Sequence, residues 1–347
     1  MRYKYEGFIS QNIAPKGATK IGVYDAGGAK VCDIPLSGLQ RPNGERLYSF
    51  GLLSDLHCAG NNSPEKTRLD NALTYFESQG CSFCCHSGDM TNIGFWYNAT
   101  DTEMYLPQMA EYKSVRDAHP NFPLYGICGN HESYNKPITE NLTELKTYTG
   151  QDLHYTVLHS NDVFVFLGQN KGSKPMSDES LQWLYETLEA NRNKRCFVFV
   201  HPYVSNEDSG NPYGVYGNNL FAAWGTKTTA FKNLLNHYKN TVLFHGHSHM
   251  HPDMQEEVSN SNYSEVLGFR SIHVPSISWN RKIVDMQSVN VGGCYGYLVE
   301  VYADCIVLNG LDFLTNKFVP IAQYCIDTSL QTIEANTFTD STGNIVP

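Results

Sequence analysis

No stretch of about 18 apolar residues occurs in this 347-residue chain, so no membrane-spanning helix is expected. The opening MRYKYEGFIS is charged and lacks the apolar core of a secretory signal, which makes the cytoplasm the expected location. Positive charge is scarce: 25 Lys and Arg stand against 35 Asp and Glu, a net charge of −10. A surface built to grip long nucleic acid would read basic, so that partner is not expected. Phosphate chemistry inside a pocket stays open, because bound metal ions can bring positive charge with them. Cys81, Cys84 and Cys85 resemble half of a zinc motif, but no second half follows at zinc-finger spacing. Several cysteines sit within apolar runs ("SFCCHSGD", "LYGICGNH", "KRCFVFVH"), which reads as buried reduced thiols rather than disulfides. Internal repeats and low-complexity linkers are also missing.

What is present is a series of short apolar runs that each end in polar residues. They are "YSFGLLSDLH", "SFCCHSGDMTN", "FPLYGICGNHE", "CFVFVHPY" and "TVLFHGHSH". Continuous runs of this length, rich in Val, Phe, Ile and Leu, read as strands buried on both faces. Helical patterns lie between them. One opens at Ser63-Pro64, with Ser63 as N-cap, Pro64 in the first turn and Gly80 as the stop. Another carries Leu181, Leu184 and Leu188 on one face, with Asp178 and Glu179 favouring its N-terminus. A third is expected near "TKTTAFKNLLNHYKN". Alternating strand and helix imply an α/β fold, in which ligands bind beyond the carboxyl ends of the strands.

The polar clusters at those ends contain Asp55 and His57, Asp89, Asn130 and His131, His201, and His247 and His249. Carboxylate, amide and imidazole donors suit Mn, Fe, Zn, Co or Ni better than Ca. They are too many for one ion, whereas two ions sharing a bridging carboxylate use them naturally. Glycines precede several of them (Gly88, Gly129, Gly246), which is expected where the backbone must turn sharply and clear an ion.

The ordered set Asp55-Leu56-His57, Gly88-Asp89-Met90-Thr91-Asn92, Gly129-Asn130-His131-Glu132, His201 and Gly246-His247-Ser248-His249 resembles the calcineurin-like metallophosphoesterases. The resemblance covers residues 47–255 and the β-rich remainder to 328. It implies a two-sheet β-sandwich flanked by helices, in four αββα layers, around two divalent ions (Mn, Fe, Zn or a mixed pair). One ion would be held by Asp55, His57, Asp89 and His249, the other by Asp89, Asn130, His201 and His247. His131 would face the substrate, oriented by Glu132. A hydroxide bridging the ions would attack a phosphodiester or phosphomonoester, with His131 assisting the leaving group. The protein serine/threonine phosphatases of this superfamily carry G-D-x-V-D-R-G, where this chain has "GDMTNIG" without the arginine. Purple acid phosphatases have a tyrosine ligand where Asn92 stands. Both departures favour the phosphodiesterase branch and a small phosphoester substrate. A nuclease-like relative, or a silent binding protein on the same fold, is the alternative.

Other features are assigned more simply. His245, His251, His86 and Cys58 are expected to pack or face solvent, outside the metal pattern. Phe95, Trp96 and Tyr97 either stack on a base or sugar or pack, and "NEDSGNPYGVYGNN" after His201 is a candidate substrate wall. Residues 1–46 read as a small β extension turning at Gly27-Gly28, or else as an attachment module. The main domain spans 47–328, with its last strands supplying a second sheet. Residues 329–347 form a polar tail.

Overall fold

The structure, a computed structural model, describes residues 20–24, 30–35, 44–93, 102–133, 138–140, 142–171, 177–202, 227–252, 269–284 and 287–334. In chain order the strands are β1 (Lys20–Tyr24), β2 (Lys30–Pro35), β3 (Tyr48–Leu53), β4 (Cys84–His86), β5 (Leu124–Gly126), β6 (His154–His159), β7 (Asp162–Leu167), β8 (Cys196–Phe199), β9 (Thr241–His245), β10 (Arg270–His273), β11 (Asn280–Val284), β12 (Gln287–Gly292), β13 (Tyr295–Val301), β14 (Cys305–Asp312) and β15 (Lys317–Asp327). The helices are α1 (Pro64–Ser78), α2 (Thr102–Ala118), α3 (Asn130–Ser133), α4 (Leu142–Thr149), α5 (Asp178–Ala190) and α6 (Thr228–His237).

Two main sheets carry the domain. One has six strands in the order β15-β14-β13-β3-β4-β5, the other five in the order β10-β9-β8-β7-β6. The motif strands are parallel within each sheet: β3 with β4 and β4 with β5, and β8 with β7 and β9. Their carboxyl ends therefore collect at one edge of the sandwich. The sequence reading assigned the C-terminal strands to a second sheet, and the structure corrects this. Only β10 joins the second sheet, alongside β9. Strands β13 to β15 extend the first sheet, because β13 pairs antiparallel with the open edge of β3. The second sheet gains instead the antiparallel hairpin of β6 and β7.

Alternation along the strands sorts side chains into three cores. Phe50, Phe164, Phe166, Phe197, Phe199 and Phe244 fill the space between the sheets. Phe166 stacks on Phe199 at 4.8 Å between centroids, and Phe199 on Phe244 at 5.0 Å. Each buried phenylalanine contributes about 1.5–3 kcal/mol by removal from water. The opposite faces of the sheets are covered by helices: Leu69, Leu73 and Phe76 of α1 with Met109 and Tyr112 of α2 on one side, Leu181, Leu184 and Leu188 of α5 with Phe231 and Leu235 of α6 on the other. The result is the expected four-layer αββα sandwich.

Local signals largely hold. Pro64 opens α1, and Gly80 lies just past its end at φ +70°. Ser63 occupies the N-cap position but its hydroxyl donates to Glu111 Oε2 (2.7 Å) rather than capping the helix. Ser177 caps α5 by accepting from the Ser180 N–H (3.1 Å). At the amino ends of the strands, Arg195 forms two bonds to Asp162 (3.0 and 2.6 Å), which also accepts from the Tyr48 hydroxyl, tying the two sheets together. Strands β1 and β2 form the anticipated antiparallel hairpin. Residues 25–29, Phe95 to Tyr97, the segment after His201 and the tail from 335 fall outside the described residues.

Candidate metal centre

Each predicted ligand lies just beyond a strand. Asp55 and His57 follow β3, Asp89 follows β4, Asn130 and His131 open α3 after β5, His201 follows β8, and His247 and His249 follow β9. Backbone hydrogen bonds continue past the strand ends and hold these loops in register: Asp55 N–H to Gly88 C=O (3.0 Å), His57 N–H to Asp89 C=O (3.1 Å), and Gly246 N–H to His201 C=O (3.1 Å).

The structure brings seven of the eight side chains to one place. Three groups have donor atoms within 4.8 Å of one another: Asp55, His57 and His249; Asp89, His201 and His247; and His57, Asp89 and His131. His201 Nε2 lies 3.0 Å from Asp89 Oδ2, and His249 Nε2 lies 3.1 Å from Asp55 Oδ1. Between the groups, His57 Nε2 is 3.9 Å from both carboxylates. Backbone donors fix the carboxylates: His247 N–H reaches Asp55 (3.0 Å) and His131 N–H reaches Asp89 Oδ1 (3.0 Å). Asn130 is buried beside them.

Two imidazoles are oriented by carbonyls. His201 Nδ1 donates to the Ser87 carbonyl (2.8 Å) and His249 Nδ1 to that of Trp279 (3.0 Å). With Nδ1 so engaged, each Nε2 faces a carboxylate, an approach that a bound cation or a proton on the ring makes favourable. His57 Nε2 approaches His249 Nε2 (2.9 Å) and His201 Nε2 approaches His247 Nδ1 (3.2 Å), which gathers the ring nitrogens of each cluster at one point. A donor set of this chemistry fits two divalent ions.

Electrostatics without ions agree. Burial opposes charge on both aspartates, but His249 and His201 around Asp55, and His201 and His131 around Asp89, hold both well below the usual carboxylate range. Burial also opposes a charged His201, yet Asp89 and Asp55 outweigh it and raise the imidazole to about 9. Burial, then the His201 charge, lowers His247 to about 3, and burial with His131 and His249 depresses His57. Two ionised carboxylates thus stand beside the neutral rings of His57 and His247.

The neighbouring residues are structural. Glu132 accepts from Thr91 N–H (2.7 Å), Thr91 hydroxyl (2.9 Å) and Gly129 N–H (2.7 Å), bracing the Asp89 turn against the Asn130 turn. Burial and the Asp89 charge raise its carboxyl to about 7. His245 and His86 are buried within β9 and β4, and burial pushes the Cys58 thiol up. His251 packs its ring edge on Tyr295 (4.8 Å). The glycines clear candidate-ligand side chains: a Cβ on Gly129 would meet Asp89 Oδ1 at 2.2 Å, and one on Gly246 would meet Asp55 Oδ2 at 2.5 Å.

One element escaped the sequence reading. The turn after β10 delivers Trp279, whose ring lies on His249 (3.9 Å between centroids) and under the Arg281 guanidinium (4.5 Å). Its Ser276 hydroxyl donates to the Asp55 carbonyl (2.8 Å). The signal available was "PSISWN", a Ser-rich turn with a tryptophan directly after an apolar strand.

Among the described residues no helix is long and apolar enough to cross a membrane. No curated protein matches the sequence. Solved structures with the same fold include a dimetal phosphatase from Danio rerio, 16% identical, with a TM-score of 0.57 over 82% of this chain and 100% of that one. A purple acid phosphatase from yellow lupin (Lupinus luteus) seeds is 12% identical, with a TM-score of 0.54 over 92% of this chain and 62% of its own. GAP50, described as the anchor in the inner membrane complex of Plasmodium, is 12% identical, with a TM-score of 0.52 over 84% and 91%. At these identities the likeness establishes the fold. The model of the calcineurin-like phosphoesterases matches residues 48–251, more than half of the chain, and this protein is therefore a member of that family of metal-dependent phosphoesterases.

Proposed function

We propose that the chain is a phosphodiesterase with a two-ion centre. The observation that carries this is the pair of three-residue clusters, Asp55-His57-His249 and Asp89-His201-His247, lying side by side at the strand ends. In this reading Asp55, His57, Asp89 and His249 hold one ion and Asp89, Asn130, His201 and His247 the other, with Asp89 shared. Manganese, iron, zinc or a mixed pair suits these donors. When bound, such a pair lowers the pKa of a water and neutralises charge on phosphoryl oxygens.

The protein's own groups do the rest. Asp55 and Asp89 stay ionised and fixed by backbone N–H groups, so the centre is preorganised before substrate arrives. His131 has 21% of its side chain exposed, against 4% for His57 and 0% for His201. In this reading it faces substrate and acts by hydrogen-bonding the leaving-group oxygen. Two features favour diesters over phosphoproteins or a tyrosinate-bound iron site: the missing arginine in "GDMTNIG" and an exposed Asn92 where the purple acid phosphatases have a tyrosine.

The test is hydrolysis of bis-p-nitrophenyl phosphate and p-nitrophenyl phosphate by protein stripped of metal and reloaded with Mn²⁺. Manganese-dependent turnover with the diester favoured is the expected result. Preference for the monoester would overturn the diester assignment. No turnover of either by protein carrying two ions would favour a binding protein on this fold, and cleavage confined to oligonucleotides a nuclease.

A further inference from the structure

The two ligand clusters are not supported in the same way. The Asp89-His201-His247 cluster leans on the motif loops: Ser87 C=O orients His201, and His131 N–H fixes Asp89. The Asp55-His57-His249 cluster leans on a segment outside every motif, the turn Ser276–Arg281 that follows β10 and runs into the start of β11. Its centre is the fully buried Ser276 hydroxyl. That oxygen donates to the Asp55 C=O (2.8 Å) and accepts from Ser278 N–H (3.0 Å) and Trp279 N–H (3.1 Å). The buried Asn280 side chain closes the turn on itself, accepting from Ser276 N–H (3.0 Å) and donating to Ser276 C=O (2.8 Å). The next peptide runs against the ligand loop, with Arg281 N–H on the His249 C=O (2.7 Å) and His251 N–H on the Arg281 C=O (2.8 Å).

We infer that Ser276 is a positioning residue for one metal site, the one formed with Asp55, His57 and His249, and that it sets the affinity of this ion separately from its neighbour. The reasoning is geometric and rests on the two-ion reading above. A single hydroxyl couples the backbone of Asp55 to the backbone N–H of Trp279, whose carbonyl fixes the tautomer and direction of His249. Two ligands of the same cluster are thereby placed by one atom. The bonds that Ser276 and Trp279 make to candidate ligands go to Asp55 and His249. Hydrogen-bond partners that orient metal-binding histidines change affinity by about 10–100-fold when removed. Here the loss falls on one ion of the pair.

Mn²⁺ titration by calorimetry, with bound metal counted by elemental analysis at low free Mn²⁺, tests this on the full chain. His249→Ala and His247→Ala first identify which binding step belongs to which cluster. Ser276→Ala is then expected to weaken the His249-dependent step about 10–100-fold, leave the His247-dependent step within threefold, and be rescued by Ser276→Thr, which keeps the hydroxyl. Melting of the metal-free protein, read beside the titration, separates positioning from a loss of fold. Should Ser276→Ala fail to fold, Asn280→Asp weakens the same turn while keeping its acceptor for Ser276 N–H. Equal weakening of both steps, or unchanged affinity for both, overturns the inference. A wild-type protein that binds fewer than two ions overturns the two-ion reading itself, and is recognised before any Ser276 variant is made.

Discussion

Gly129→Ala puts the sharpest demand on the geometry of the centre. A Cβ at this position would lie 2.2 Å from Asp89 Oδ1, 2.6 Å from the Asp89 backbone nitrogen and 2.8 Å from His201 Cδ2. Ordinary contact would require the carboxylate oxygen to retreat by about 1 Å. The Gly129 backbone cannot yield instead without breaking its bond to Glu132 Oε2 at 2.7 Å. Asp89 is also held by His131 N–H, so it has little room to pivot. Misplacing a catalytic group by about 1 Å costs on the order of 100-fold in rate, while overpacking a dense site costs about 1–3 kcal/mol of stability. The variant should therefore fold, melt several degrees lower, hold fewer than two Mn²⁺ per chain, and lose about 100-fold in kcat/KM on bis-p-nitrophenyl phosphate. Retention of two ions with activity within threefold of wild type would refute the packing argument, because the overlap is with the Asp89 carboxylate itself.

Arg195→Met should cost about 3–5 kcal/mol in urea unfolding, since it strands the buried Asp162 carboxylate without its guanidinium. The network sits at the amino ends of the strands, so the specific activity of the folded fraction should hold, and a loss below about 1 kcal/mol would contradict a paired Asp162. His154 supplies a pH test away from the metal centre. It packs on Trp183 and its Nε2 meets the Ser180 hydroxyl (2.8 Å), and burial lowers its pKa from 6.5 to about 4. The unfolded chain therefore takes up a proton first as pH falls. Stability from neutral His154 is complete above 6.5 and lost progressively toward 4, at about 2 kcal/mol after discounting for partial exposure. Wild type minus His154→Gln, measured by urea unfolding, should shrink from pH 7 to pH 4.5; a constant difference would refute the assignment.

The candidate site was legible because its residues are polar side chains of metal-binding type at strand ends. Asp55, His57, Asp89, Asn130, His131, His201, His247 and His249 each follow an apolar run, and the fold needs only to bring five such ends to one edge. Sheet order was harder. The residues of β13 announce a strand, but nothing local says that β3 has an open edge, so the C-terminal strands were placed in the wrong sheet. Ser276 and Trp279 were missed for another reason. Trp279 acts through a backbone carbonyl that any residue carries, and Ser276 through one hydroxyl aimed at a main-chain oxygen. Such roles leave no side-chain pattern to read.

The backbone records what holding ions demands of this fold. Among the described residues, nine positions other than glycine have positive φ, and five of them are Asp55, His57, Asp89, His247 and His249. Asn, Asp and His are the side chains that tolerate this region best, yet each such position, at φ +52° to +70° for these five, still costs about 1–3 kcal/mol. Glycine would relieve that strain and lose the ligand. The chain therefore places each constrained residue beside neighbours that over-determine it: the Asp55–Cys58 and Gly88–Met90 segments bond to each other beyond the strands, and the Ser276–Arg281 turn clamps His249 from the far side. Strain tolerated at five ligands and supported from two directions is what a preformed centre requires. It explains why the carboxylates and rings already converge on common points, leaving bound ions to complete a geometry that the backbone has set.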